Sequence, residues 1–227
     1  MKDVRVISFD LDDTFWDCAP AIAHAERSLF RWHQEHTPRI AQAHDEASLL
    51  SYRIEVRRQH PELAGCVTAM RLKGLTLLLA EFDYPQSLAA EAFEVFYKAR
   101  SQVVIYPKVT DLLTALGSRY KIAAITNGNA DLERIGIATY FDQIYAADLD
   151  MKAKPDADMF LRCATHFDVD ICEMLHVGDN PVTDIEGAMN AGAKTLWFNQ
   201  HGVSWPHESY QPDFEAQSIE HMMEIFS

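Results

Sequence analysis

Three carboxylates and a hydroxyl follow the first apolar run of the chain. The run at 4–9 is rich in β-branched and aromatic residues, and Asp10, Asp12, Asp13 and Thr14 come directly after it. Such a run is typical of a strand that is buried on both faces of a parallel sheet. Acids this close together repel one another unless a cation or a shared proton compensates. The stretch therefore predicts either a polar turn before a helix or a site that handles charge.

Three further groups of polar residues lie where strands or a loop are expected to end. They are Thr126 with Asn127, the loop Lys154-Pro155-Asp156, and Asp179 with Asp184. Because open parallel sheets bind their ligands at the carboxyl ends of the strands, we expect these groups to meet at one edge of a sheet. That edge would combine carboxylates, a hydroxyl beside backbone N–H groups, and one lysine.

The pattern of apolar residues divides the chain into two kinds of structure. Helical spacing without any strand pattern predicts an all-helical domain at 18–102, with helices near 20–33, 45–60, 67–82 and 85–101 and a break at Thr37-Pro38. The rest, 1–17 and 103–227, alternates strands with helices. The predicted strands after the first lie at 121–125, 143–146, 174–177 and 194–198, and the predicted helices at 109–116, 130–135, 157–167, 181–190 and 219–225. This alternation predicts an α/β fold, a Rossmann-like doubly wound parallel sheet.

Composition narrows the partners that the protein can have. The 227 residues carry a formal net charge of -14, which argues against a nucleic-acid backbone or an anionic membrane surface. The four cysteines are scattered without metal-ligand spacing, and the amino-terminal residues show no signal-peptide pattern, so we expect reduced thiols in a cytoplasmic protein. We further expect a monomer or a weak dimer.

The order of the polar motifs resembles that of the haloacid dehalogenase (HAD) superfamily. D-x-D-x-T at 10–14, the strand-end Thr126, K-P-D at 154–156 and G-D-x-x-x-x-D at 178–184 follow one another as in that family. The helical insertion at 18–102 is similar to the family's C1 cap, and the match covers essentially the whole chain. The resemblance implies a HAD catalytic core with an inserted cap, and an enzyme that hydrolyses phosphoric monoesters and therefore acts on a small phosphorylated metabolite.

The resemblance also implies the catalytic and metal-binding residues. Asp10 would be the nucleophile that forms an aspartyl-phosphate, and Asp12 the general acid that protonates the leaving group and later activates water. Asp10, Asp179 and the backbone carbonyl of Asp12 would hold Mg2+, which prefers hard oxygen ligands. Dehalogenases of the family lack an acid at the second position and need no metal, so Asp12 favours phosphate chemistry.

The remaining motif residues would bind phosphate or support the site. Thr126 and the backbone N–H of Asn127 would grip the phosphoryl oxygens, and Lys154 would offset the charge between Asp10 and the phosphate. A supporting role is implied for three residues: Asp13, Thr14 and Asp184.

The start of the chain resembles a bacterial branch of the family. Phe9–Asp17, with Pro20 and Ile22 after it, is similar to phosphatases of FMN and of 5-amino-6-(5-phospho-D-ribitylamino)uracil, the intermediate of riboflavin biosynthesis. Phe15 and Trp16 could stack on a flat heterocycle near the mouth of the site. Two alternatives remain open: a phosphosugar mutase of the same superfamily, and a non-catalytic regulatory or binding relative.

Overall fold

The fold comes from a computed structural model that describes residues 3–227. Within these residues the chain forms two compact units. The first, the α/β unit, contains the chain up to Asp17 together with Val104–Gly128 and Gly136–Ser227. The second, the helical unit, contains Cys18–Val103 and Asn129–Ile135.

A parallel sheet of six strands forms the centre of the α/β unit. The strand order is β3-β2-β1-β4-β5-β6, and every pair of neighbours is parallel. Phe9 at the end of β1 pairs with Ala124 of β2 on one side and with Val177 of β4 on the other. The carboxyl ends of these three strands therefore lie side by side. The strands are β1 Val6–Phe9, β2 Lys121–Thr126, β3 Gln143–Ala146, β4 Met174–Gly178, β5 Lys194–Phe198 and β6 Phe214–Ala216.

Helices of the α/β unit bury apolar faces against the sheet. Phe160 and Cys163 of the helix Asp158–Phe167, for example, pack with Val6 and Ile125 in one fully buried cluster. Burying a side chain of this size stabilises the fold by about 1.5–3 kcal/mol. The helices of the unit are α6 Val109–Gly117, α8 Asp158–Phe167, α9 Gly187–Ala191 and α10 Ile219–Phe226. Short 3-10 turns lie at Ala138–Tyr140 and Ile171–Glu173, and a π-helical segment at Pro181–Glu186.

The helical unit has its own apolar core. Leu29, Trp32, Leu75, Leu79 and Phe96 are buried together where its helices pack. Its elements are α1 Cys18–His36, α2 Pro38–Ala43, α3 Glu46–Gln59, a 3-10 turn at Pro61–Leu63, α4 Val67–Glu81, α5 Leu88–Arg100 and α7 Leu132–Ile135. The start of α3 is fixed by a capping box, in which Asp45 accepts a hydrogen bond from the Ser48 backbone N–H (2.8 Å).

The α/β fold class predicted from the sequence is confirmed. Three local features differ from the prediction. The break at Thr37-Pro38 starts the short helix α2, because Pro38 takes a first-turn position where no N–H is needed. The predicted helix 181–190 begins as a π-helical segment. The strand Phe214–Ala216, which extends the sheet to six strands, is only three residues long and shows no clear alternation.

The segment Asn129–Ile135 belongs to the helical unit although it follows β2 in the chain. The Asn129 side chain accepts a hydrogen bond from Arg100 (3.2 Å) and donates one to Thr68 (3.0 Å). The backbone N–H of Asp131 donates to the hydroxyl of Ser101 (3.1 Å). These contacts join residues far apart in the chain, so the spacing of the sequence did not indicate them. The function of the helical unit as a cap stays a prediction.

Candidate active site

The predicted site residues gather at the carboxyl edge of the sheet around a cavity of about 180 Å3. The residue after β1, the end of β2, the loop before α8 and the residues after β4 all contribute side chains, as the parallel topology requires. Of the predicted site residues, Thr14 alone does not line this cavity. The cavity is lined by Asp10, Asp12, Asp13, Thr126, Asn127, Gly128, Lys154, Asp179, Asn180, Thr183 and Asp184.

Lys154 links two carboxylates that line this cavity. Its Nζ lies 2.7 Å from Oδ1 of Asp10, 2.7 Å from Oδ1 of Asp184 and 2.6 Å from the carbonyl oxygen of Ile125. Only 3% of Lys154 is exposed. Burial alone would lower the pKa of Lys154, but the charges of Asp10 and Asp184 outweigh it and raise that pKa. The lysine is therefore a fixed positive charge at neutral pH.

One lysine does not neutralise the whole carboxylate cluster. Burial raises the pKa of Asp10 well above its ordinary value, in spite of Lys154. Burial and the neighbouring Asp184 and Asp13 raise the pKa of Asp179 to about 7. Oxygen atoms of Asp10, Asp179 and Asp184 lie within 4.8 Å of one another. A divalent cation would stabilise the ionised forms of these acids, and an all-oxygen donor set is of the kind that Mg2+ binds.

Several contacts hold the buried side chain of Asp184 in one position. The backbone N–H of Asn180 donates to its Oδ2 (2.9 Å), and only 1% of the residue is exposed. Gly178, at the end of β4, leaves the space: a Cβ there would lie 2.4 Å from the carboxyl carbon of Asp184. Burial would raise the pKa of Asp184, but Lys154 and His176 together hold it below its ordinary value. Asp184 is thus the ionised partner of Lys154.

The loop after β2 fastens the lysine loop. The Asn127 side chain accepts a hydrogen bond from the backbone N–H of Lys154 (2.8 Å) and donates one to its carbonyl oxygen (2.8 Å). The Thr126 hydroxyl accepts from the backbone N–H of Gly128 (2.9 Å) and shapes the turn. The resemblance assigned only the backbone N–H of Asn127 to phosphate, so the role of this side chain in holding Lys154 is an addition.

The residues around Asp12 correct one expectation. Phe15 and Trp16 are fully buried, so neither ring can stack on a substrate at the mouth of the site. Instead, the indole N–H of Trp16 donates a hydrogen bond to Oδ1 of Asp12 (2.8 Å). The Thr14 hydroxyl lies 3.4 Å from Oδ1 of Asp179, at the limit for a hydrogen bond. Asp13 adopts a left-handed backbone conformation (φ 60°), which turns the chain at this point.

Two further residues near the cluster were not predicted as part of it. His176 and Ser8 are buried neighbours on β4 and β1, and their side chains lie 2.9 Å apart (Nδ1 to Oγ). The Nε2 of His176 lies 3.7 Å from Oδ1 of Asp184. Burial lowers the pKa of His176 to about 4, so the ring is neutral at neutral pH. A polar pair in the middle of two apolar strands was the one signal in the sequence that could have indicated them.

Comparison with known proteins identifies the family. The sequence model of the haloacid dehalogenase-like hydrolase family matches residues 4–192. The chain is 32% identical over 198 residues to 5-amino-6-(5-phospho-D-ribitylamino)uracil phosphatase YigB of Escherichia coli, covering 86% of this chain and 83% of that one. It is 26% identical to human N-acylneuraminate-9-phosphatase, with 96% and 92% of the two chains covered.

A solved structure covers nearly the whole fold. A protein described as a 2-haloacid dehalogenase from Pseudomonas syringae pv. tomato is 36% identical and superimposes with a TM-score of 0.91, over 98% of both chains. The protein therefore belongs to the haloacid dehalogenase-like hydrolases, and the predictions of the family and of an enzyme are confirmed. Within residues 3–227, the structure contains no helix with the length and apolar character needed to span a bilayer.

Proposed function

We propose that the protein is a Mg2+-dependent phosphatase that hydrolyses small-molecule phosphate monoesters through an aspartyl-phosphate on Asp10. The observation that carries the proposal is a single cavity in which Asp10, Asp12, Asp179 and Lys154 face the phosphate loop at Thr126. The cavity holds the acid, the nucleophile and the positive charge that phosphoryl transfer requires.

The chain's own residues can divide the reaction into two displacements. A carboxylate oxygen of Asp10 attacks phosphorus, the bond from phosphorus to the leaving oxygen breaks, and Asp12 donates the proton that the alcohol needs. Asp12 then takes a proton from water, which attacks the phosphorus and releases inorganic phosphate and free Asp10. Lys154 lies 2.7 Å from Asp10 and stabilises the negative charge shared by the Asp10 carboxylate and the transferring phosphoryl group.

Mg2+ fits the donor set at this edge of the sheet. Asp10, Asp179 and the backbone carbonyl of Asp12 would hold the ion, while Asp184 is already paired with Lys154. When bound, Mg2+ would neutralise part of the charge on the phosphate and keep the nearby carboxylates ionised. The raised pKa values of Asp10 and Asp179 support this proposal, because each acid is costly to ionise without a cation.

Asp12 favours phosphate hydrolysis over dehalogenation. A carboxyl group at this position supplies the proton that an alcohol leaving group needs and a halide does not. The family's dehalogenases lack it, whereas here the Trp16 indole fixes it in place. YigB of Escherichia coli and human N-acylneuraminate-9-phosphatase are both phosphatases by name. A phosphosugar mutase would share the Asp10 chemistry, and a non-catalytic relative would have no need of the complete set.

Relatives and thiol chemistry suggest the substrate and the compartment. The similarity to the ribitylaminouracil phosphatase supports this compound as a substrate and a role in riboflavin biosynthesis. The resemblance of residues 9–22 adds FMN as a second candidate substrate. We propose that the helical unit acts as the cap that shields the reaction from water. All four cysteines are free thiols, which suits the reducing cytoplasm.

A panel of phosphorylated metabolites, FMN included, with and without Mg2+ tests the proposal. Wild-type protein should release inorganic phosphate only with Mg2+, and Asp10→Asn should lose at least about 10^3-fold of the rate. Circular dichroism should show an unchanged fold in that variant. L-2-chloropropionate and hexose monophosphates in the same panel distinguish the other activities.

The outcomes separate the alternatives. Chloride release without Mg2+ would establish a dehalogenase, and an isomerised sugar phosphate a mutase. Full phosphatase activity in Asp10→Asn would exclude Asp10 as nucleophile. No turnover of any compound would favour a non-catalytic relative.

A further inference from the structure

A second and larger cavity lies entirely within the α/β unit. It adjoins the cavity of about 180 Å3 at the candidate active site, which we call the phosphate cavity. The larger cavity has a volume of about 360 Å3, which is within the range of small-molecule sites. Asp13 and Asp179 line both cavities, so the two are adjacent. The rest of the lining includes Tyr106, Trp197 and the turn at 199–203. We call this space the side cavity.

The turn at 199–203, which lines the side cavity, is held in shape by its own hydrogen bonds. Asn199 is 4% exposed; its side-chain amide donates to the carbonyl oxygen of Val203 (2.8 Å) and to Glu215 (2.7 Å), and its Oδ1 accepts from the Val203 N–H (3.0 Å). Gly202 takes a left-handed conformation (φ 60°) that closes the turn. Trp205 packs edge-on against Trp197 at 4.9 Å. This part of the lining is therefore formed before any ligand binds, which lowers the entropy cost of binding.

The side cavity is also tied to the metal-binding loop. The indole N–H of Trp197 donates a hydrogen bond to the backbone carbonyl of Asp179 (2.7 Å), so the floor of the cavity and the carboxylate of the phosphate site are held by one contact. Trp197 and Phe198 are both 2% exposed and give the cavity an apolar base. A group that extends from the phosphate would meet this base at a fixed position.

The polar lining is acidic and rich in neutral hydrogen-bonding groups. Asp13, Asp17 and Asp179 contribute carboxylates and His201 an imidazole, and among residues 3–227 no lysine or arginine lines the cavity. Burial and these three acids raise the pKa of Tyr106 to about 12, while the nearby Gln200 amide acts in the opposite direction. The Tyr106 hydroxyl is therefore a hydrogen-bond donor at neutral pH in a region of negative potential.

We propose that the side cavity binds the leaving group of the substrate and selects uncharged, hydrogen-bonding groups of nucleoside size over groups with a second negative charge. This proposal rests on the proposed phosphatase function and names the substrate class of that site. An apolar base with a hydroxyl and an amide above it suits a flat polar ring or a polyol chain. A carboxylate placed there would face Asp13 and Asp17, two acids of the same sign that are not among the proposed Mg2+ ligands. Part of the specificity then lies in the α/β unit.

Steady-state kinetics on three substrates test the inference. Uridine monophosphate has an uncharged leaving group, phosphoglycolate a carboxylate, and acetyl phosphate a leaving group too small to fill the side cavity. The kcat/KM of the wild-type protein should be at least about tenfold higher for uridine monophosphate than for phosphoglycolate. Acetyl phosphate reports the phosphate site alone.

Two variants alter the cavity without touching the phosphate site. Gln200→Lys adds a cation to the rim and should lower the KM for phosphoglycolate about fivefold. Tyr106→Phe removes the donor and should raise the KM for uridine monophosphate about three- to tenfold. The kcat/KM for acetyl phosphate reports any change that either variant causes at the phosphate site, and the other effects are expressed as ratios to it. Gln211→Lys is the matched control, because it adds the same charge to an exposed residue outside the lining.

The results separate the inference from the proposed function. If acetyl phosphate is hydrolysed but both variants behave like Gln211→Lys on all three substrates, the side cavity is not the leaving-group site and the phosphatase proposal stands. A wild-type preference for phosphoglycolate would likewise overturn the inference. If no substrate releases phosphate, the phosphatase proposal fails and the inference with it.

Discussion

The ammonium group of Lys154 lies 2.7 Å from the carboxylate of Asp10, although 144 residues separate the two along the chain. Both side chains are almost completely removed from solvent. Removing one partner of a buried ion pair leaves a charge without compensation, which usually costs more than the pair itself contributes. The stability of the α/β unit and the chemistry of the site therefore depend on the same contact.

Replacing Lys154 with methionine should destabilise the protein in a pH-dependent way. At pH 7.5 we expect the free energy of unfolding to fall by about 3–5 kcal/mol, because Asp10 and Asp184 lose their shared cation. Without the lysine, the pKa values of both acids in the folded variant would lie above their values in the unfolded chain. The loss in free energy of unfolding relative to the wild-type protein should therefore grow as pH rises and shrink toward pH 5. Urea denaturation at the two pH values measures it.

Lys152→Met provides the control for this experiment. Lys152 lies in the same loop, but its side chain is 75% exposed and pairs only with Asp156 at 3.3 Å. The free energy of unfolding should change by less than about 0.5 kcal/mol. Equal losses in the two variants would contradict the special role of Lys154.

Gly178→Ala should disrupt the seat of Asp184. A Cβ at this position would lie 2.4 Å from the Asp184 carboxyl carbon, and Asp184 cannot retreat because Asn180 and Lys154 hold it. We expect a loss of about 1–3 kcal/mol in the free energy of unfolding and a clear loss of phosphatase activity. Thermal melts and phosphate release measure the two effects.

The matched change is Gly117→Ala at the end of α6. Nothing lies within 4 Å of a Cβ at Gly117, so the substitution should be neutral or stabilise the helix by up to about 1 kcal/mol. If the two substitutions change the free energy of unfolding equally, Asp184 does not pack tightly against Gly178 of β4.

Most of the site could be predicted because parallel sheets bring strand ends to one edge. Asp10, Thr126 and Asp179 follow three neighbouring strands, so their meeting follows from the topology alone. The direction of each side chain could not be predicted in this way. Asp184 was expected to support the site, yet it forms the second carboxylate bound to Lys154. Its position depends on the small size of Gly178 and on a π-helical turn.

Other features depend on contacts that no local pattern carries. Trp16 follows the D-x-D-x-T motif and was expected near the mouth of the site, but the fold buries it and directs its N–H to Asp12. The segment Asn129–Ile135 joins the helical unit through Arg100 and Thr68. The three-residue strand β6 is recognisable only by its pairing with β5. The partners of the last two features lie far away in the chain, and the Trp16–Asp12 contact, although it spans only four residues, lies in a loop where periodicity gives no information.

Trp16→Phe should slow catalysis more than it weakens binding. The substitution keeps a buried aromatic ring but removes the 2.8 Å hydrogen bond to Asp12, so the proposed general acid is less firmly positioned. We expect kcat to fall about three- to tenfold with little change in KM. Phe15→Leu is the control, since Phe15 is equally buried and packs on Phe9. A similar fall of kcat in both variants would indicate general destabilisation.

Mg2+ should stabilise the protein only where Asp179 is ionised. Without metal its folded-state pKa is raised to about 7 from the ordinary 3.8. The stability that this acid contributes is therefore full below about pH 4 and is lost as pH rises through about 7. Since Mg2+ binds the ionised form, its effect appears over the same pH range. At a hundredfold excess over the dissociation constant we expect Tm to rise by about 5–10 °C at pH 8 and hardly at all at pH 5.

Asp179→Asn tests the assignment of this pH dependence. The variant lacks the titrating group, so metal-free protein should melt higher than wild type at pH 8, and Mg2+ should shift its Tm little at either pH. Differential scanning calorimetry at pH 5 and pH 8, with and without Mg2+, gives both comparisons. A Mg2+ shift of the same size in the variant and in wild type would show that the ion binds elsewhere, because Asp179 is one of only three acids whose oxygens cluster within 4.8 Å in the described part of the chain.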